Sequence, residues 1–119
     1  MNKLPYSKDE QIELLLAQRL FAEIEKLYPN LASPWELLTV TESDVHAYLE
    51  THLESAHAFF AQTGGGDTCP NWHDVPAVWK DGGVYKVAWL DRGKPTGAST
   101  HSKLENALAR YVRLRYLGG

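Results

Sequence analysis

The sequence predicts an α+β fold: an N-terminal layer of three helices, then a three-stranded antiparallel meander and a C-terminal packing helix. Three observations carry this. A Ser or Thr stands three residues before an acid at Ser7/Glu10, Ser33/Glu36, Thr41/Asp44 and Ser102/Glu105, the spacing of a capping box that opens a helix. Apolar residues recur at helical spacing up to residue 62 and alternate after residue 77, the two periodicities that separate helix from strand. Two turn signals, Asp81-Gly82 and Asp91-Arg92-Gly93-Lys94, divide the second region into strands, because residues of this kind tolerate positive φ. Strands grouped after helices favour α+β over a doubly wound sheet.

The first helix runs from Lys8 to Tyr28, with Leu14, Ala17, Leu20, Phe21, Ile24 and Leu27 on its apolar side. Pro29 ends it, since the residue before proline leaves the α region. Ser33-Pro34-Trp35-Glu36 opens a short helix to about Val40, with proline at the first position, where its missing N–H costs nothing. The third helix spans residues 42–62, with an apolar arc of Val45, Tyr48, Leu49, Leu53, Ala56, Phe59 and Phe60. His52 lies in that arc and reads as a hydrogen-bonded core histidine. Gly64-Gly65-Gly66 begins a Gly/Pro loop over residues 63–76. Strands follow at 77–80, 84–90 and 96–100, the last polar, interrupted by Gly97 and so an edge. The final helix runs from Ser102, with Leu104, Ala107, Leu108, Tyr111, Val112 and Leu114 on one side and Gly118 as its stop. Tyr85, Val87 and Trp89 share one face of the central strand, so Trp89 is expected to meet Leu108 across the sheet–helix interface.

At 119 residues the chain is read as a single domain, 1–119, long enough to bury a core without staples. Cys69 is the sole cysteine, so no intramolecular disulfide is possible. No apolar run approaches the roughly 20 residues of a membrane span, and MNKLPYSKDEQ lacks a signal-peptide core. A cytoplasmic protein is the expectation. The net charge of −3 is unevenly spread: residues 1–76 hold four Lys/Arg and twelve Asp/Glu, while residues 77–119 hold eight and three. Such a contrast points to a charged partner, or to two halves that attract one another.

Chemistry-bearing clusters are sparse. His46, Glu50 and His57 project together from the third helix, but three turns separate the histidines, too far for one zinc ion. Cys69, His73 and Asp74 are the one nucleophile-like set, in a loop that does not itself establish a base within reach of the thiol. Hence no catalytic residue, metal or cofactor is expected. Trp72, Trp79, Trp89 and Tyr85 gather around the sheet as core, and a partly exposed one among them would be a binding anchor. Trp35 is expected near the surface.

Arg92, Lys94, Lys103 and Arg110 form a basic turn and helix face suited to a phosphate backbone. Gly97 to Leu117, GASTHSKLENALARYVRLRYL, resembles the last strand-to-helix part of a double-stranded-RNA-binding domain, over 21 of the 119 residues. The three-strand-plus-helix order is also similar to the plant-type AP2 DNA-binding domain. The lysine cluster that the RNA-binding family places at this helix start is reduced to Lys103, beside Leu104 and Glu105. The leading expectation is a non-enzymatic protein-binding module, of inhibitor, immunity or adaptor type, using an acidic helical surface with Trp35, Glu50 and Glu54. The alternative is a nucleic-acid-binding module acting through the basic C-terminal half.

Overall fold

A computed structural model of the chain describes residues 3–64 and 66–117. The order is α1 (Lys8–Leu16), α2 (Leu20–Leu27), a 3₁₀ turn (Pro34–Leu37), α3 (Glu42–Glu50), α4 (Leu53–Thr63), β1 (Val75–Asp81), β2 (Val84–Asp91), β3 (Lys94–His101) and α5 (Leu104–Tyr116). This is the α+β order read from the sequence. Gly65 and the expected stop at Gly118 lie outside the described residues.

Both long N-terminal helices are broken, and each break has a local cause. At Gln18 the chain turns left-handed, with φ +59°. Gln18 N–H donates to Leu15 O and Arg19 N–H to Leu14 O, the paired bonds of a Schellman stop with glutamine where glycine usually stands. The second break follows Glu50. The Thr51 hydroxyl donates to Tyr48 O at 3.1 Å, and His52 Nδ1 lies 2.8 Å from the same oxygen. These side chains compete for a carbonyl that the continuing helix needs. His52 is therefore exposed, its ring stacked on Tyr48 at 3.9 Å, and it is not a core residue.

Two of the four capping boxes form. Ser7 Oγ accepts from Glu10 N–H while Glu10 Oε1 accepts from Ser7 N–H. Thr41 and Asp44 do the same, at 3.2 and 2.9 Å. The Thr41 N–H bond outweighs burial and, with Lys8, holds the Asp44 carboxyl below its ordinary value. Ser33 and Ser102 make no capping bond: Pro34–Leu37 is only a 3₁₀ turn, and Lys103 is the residue that precedes α5.

The sheet is antiparallel in the order β1-β2-β3. β1 begins two residues earlier than the alternation suggests and includes Pro76, tolerated because an edge strand leaves that N–H position unpaired. Between β2 and β3 the register shifts: Val87 pairs with Ser99, but Trp89 pairs with Thr96. The extra residue falls on β3, where Gly97 takes φ +60°, as a glycine bulge requires.

α5 is the central beam. Leu104, Ala107, Leu108 and Val112 are buried in one cluster with Val78 and Val87 of the sheet and with Ile12, Val45 and Leu49 of the helical layer. Ala77, Trp79, Ala88 and Leu90 form a second small cluster from the opposite sheet face. The two charge halves are joined by Glu42, whose Oε1 lies 3.0 Å from Arg110 Nε and 3.2 Å from Arg113 Nη1. The attraction between halves is thus realised within the chain.

Trp89 does not follow the expected pattern. It stays outside both buried clusters and is 37 % exposed, whereas Tyr85 and Val87 on the same face reach the core. Leu108 packs in the cluster with Val78 and Val87, so the expected Trp89–Leu108 core contact is replaced.

Candidate functional site

The linker after Gly64 runs from one end of the sheet to the other. Gly66 O accepts from Lys80 N–H beside the first turn, and Trp72 O accepts from Gly93 N–H in the second, both at 2.8 Å. Gly93 has φ +79°, and a Cβ there would collide with the Asn71 side chain. The second turn and the linker are therefore fitted to one another.

Two linker residues, His73 and Asp74, then tie this end. His73 Nδ1 accepts the Arg92 N–H at 3.1 Å, so the proton of the neutral ring sits on Nε2. Asp91 Oδ1 lies 3.3 Å from the same nitrogen. Asp74, left-handed at φ +57°, donates its N–H to Leu90 O at 2.7 Å and accepts from Trp89 Nε1 at 3.1 Å. Trp72, 39 % exposed, lays its ring edge against Gly64 at the end of α4. Two partly exposed tryptophans, Trp72 and Trp89, thus stand at one end of the sheet, with Asp74, Asp91, Arg92 and Lys94 around them.

Beside Trp72 lies a cavity of about 420 Å³, where the α1–α2 break, α4, the linker and the end of α5 meet. Phe59 and Tyr111 give it buried aromatic walls, their rings edge-on at 6.0 Å. Gln18, whose Nε2 donates a 3.3 Å hydrogen bond to Gln62 Oε1, together with Gln62 and Thr63, adds polar groups. Arg115 Nε donates to Tyr116 Oη at 3.3 Å, with the guanidinium carbon 5.6 Å from that ring's centre. Burial opposes the Arg115 charge, but Tyr111 and Tyr116 outweigh it and keep the guanidinium pKa above its usual value. Burial pushes the Tyr111 hydroxyl up.

The nucleophile-like set is not assembled. Cys69 is exposed with its Sγ 3.7 Å from Pro70 O, while His73 and Asp74 are bonded to Arg92 and Trp89. His46 Nε2 lies 2.8 Å from Asn106 Oδ1 and 4.0 Å from Glu50, and His57 is exposed. No group of three metal-ligating side chains converges among the described residues, and no described helix is long and apolar enough to cross a membrane.

The acidic candidates are exposed. Trp35, on the 3₁₀ turn, is as open as its position suggests. Glu50 and Glu54 flank the α3–α4 break, with Leu53 half exposed between them. No hydrogen bond, ion pair or shared cavity joins Trp35 to them among the described residues. Of the basic set, Arg92, Lys94 and Lys103 are exposed, whereas Arg110 is engaged by Glu42. A smaller polar cavity beside that pair holds Glu42, His46, His101, Asn106 and Arg110. Burial, reinforced by Arg110, holds His101 below its ordinary value.

Sequence reasoning placed Trp72 and Trp89 in the core and did not single out Arg115 as a site residue. The position of Trp72 between two loop prolines was the available signal. No family model, curated protein or solved structure matches this chain.

Proposed function

We propose that this protein is a non-enzymatic protein-binding module, of inhibitor or adaptor type, that docks through the end of the sheet carrying Trp72 and Trp89. The observation that carries the reading is Trp89: it lies on the same strand face as the core residues Tyr85 and Val87, yet is 37 % exposed and held by Asp74. Tryptophan is enriched, with tyrosine and arginine, among the residues that dominate binding energy near the centre of protein interfaces. Trp72 adds a second ring and the second turn supplies a polar rim, the usual anatomy of such a patch.

The charge pattern favours protein over nucleic acid. Asp74 and Asp91 stand among Arg92 and Lys94, and mixed charge suits a protein rim better than a phosphate track. Arg110, the outermost member of the basic set along α5, is already neutralised by Glu42. The acidic surface is a second reading within the same function. It rests on Leu53, half exposed between Glu50 and Glu54 at a helix break, and would suit a basic partner. Affinity capture with wild type, Trp89→Ala and the pair Glu50→Lys/Glu54→Lys separates the two surfaces. Loss with Trp89→Ala alone supports the sheet end, and loss with the acidic pair alone supports the helix corner.

A further inference from the structure

We propose that the cavity between α4, the linker and the end of α5 binds a small aromatic carboxylate. Its volume of about 420 Å³ falls within the roughly 300–1,000 Å³ of small-molecule pockets. Phe59, Trp72, Tyr111 and Tyr116 offer ring surfaces, and aromatic groups favour stacked or edge-on contacts with such rings.

The charge of the site selects the other end of the ligand. No Asp or Glu lines this cavity, although acids outnumber bases in the chain, fifteen to twelve. Arg115 is its one permanent cation among the described residues. Arg19, Arg110 and Arg113 each have a carboxylate within ion-pair distance, whereas Arg115, like the surface turn residue Arg92, has none among the described residues. Its guanidinium, on an exposed residue, donates a hydrogen bond to Tyr116 Oη and lies over that ring, 5.6 Å from its centre. A planar guanidinium held in place presents paired donors that match a carboxylate. A ligand with one ring and one carboxylate satisfies both ends of the cavity. The site shares Trp72 with the docking surface described above but does not use Trp89, so loss of partner capture with Trp89→Ala and loss of phenylacetate binding with Arg115→Gln are separate outcomes.

The test is a ¹H–¹⁵N NMR titration of the full chain with phenylacetate, and with phenylacetamide as the neutral analogue of the same size. Saturable shifts are expected for phenylacetate at Trp72, His73, Arg115 and Tyr116. Phenylacetamide is expected to bind at least about tenfold more weakly, and Arg115→Gln to weaken phenylacetate by a similar factor. Absence of saturable shifts up to about 10 mM, equal binding of the amide, or full binding by Arg115→Gln would overturn the proposal. Gln62→Glu, at an exposed position of α4, provides a second variant should Arg115→Gln fail to fold. The added carboxylate is expected to repel phenylacetate, and unchanged affinity would contradict the site.

Discussion

Trp89 Nε1 donates to Asp74 Oδ1 at 3.1 Å, tying the indole near the end of β2 to the residue that leads into β1. Asp74 also donates its own N–H to Leu90 O and takes a left-handed backbone to do so. Asp and Asn accept that conformation more readily than other side chains. Asp74→Asn, which keeps an acceptor, is expected to melt within about 0.5 kcal/mol of wild type. Asp74→Ala loses the bond and adds strain, and is expected to cost about 1–2 kcal/mol in urea melts.

The same geometry sets Trp89 against Leu108. Leu108 is fully buried at the centre of the main cluster, so Leu108→Ala should cost about 2–5 kcal/mol. Trp89→Ala should cost less, about 1–2 kcal/mol, because part of the ring already faces water. Equal losses in denaturant melts would show that Trp89 supports the core after all.

The helix starts offer an internal control. Thr41 caps α3 through its hydroxyl, whereas Ser102 makes no capping bond. Thr41→Ala is expected to lose about 1 kcal/mol and Ser102→Ala less than about 0.5 kcal/mol. Thermal melts of the two single variants suffice. The Asp44 carboxyl, held low chiefly by the Thr41 N–H, gives the first cap a stabilising effect present above the ordinary carboxylate range and lost in acid.

His101 adds a second pH dependence. Burial comes first in keeping this ring neutral, Arg110 assists, Glu42 opposes, and His46 shares the cavity. A histidine depressed in the fold binds its proton more readily when unfolded. Its contribution is therefore complete above the unfolded value of about 6.5 and lost as pH falls through the lower folded value. His101→Gln is expected to lose less melting temperature than wild type between about pH 7 and pH 5. An identical decline in both proteins would remove His101 from the account.

The layer order, both hairpin turns and most of the core were legible because they rest on local periodicity and turn chemistry. The breaks at Gln18 and Thr51 were not. One uses a left-handed glutamine where glycine gives the usual signal, and the other depends on side chains capturing the Tyr48 carbonyl. Strand alternation gave the face of Trp89 correctly but not its exposure, which depends on how far the helices extend across that face. The Arg115 cavity draws its walls from four separate segments, an arrangement that no single window of sequence displays.

Affinity capture of partners from the native host, using the full chain with nuclease present, decides whether the tryptophan end is the working surface. A protein retained by wild type and by Glu50→Lys/Glu54→Lys, but lost with Trp89→Ala while the variant still melts cooperatively, is the predicted result. A partner retained by Trp89→Ala, or material released by nuclease and by Lys94→Glu/Arg110→Glu, would contradict it.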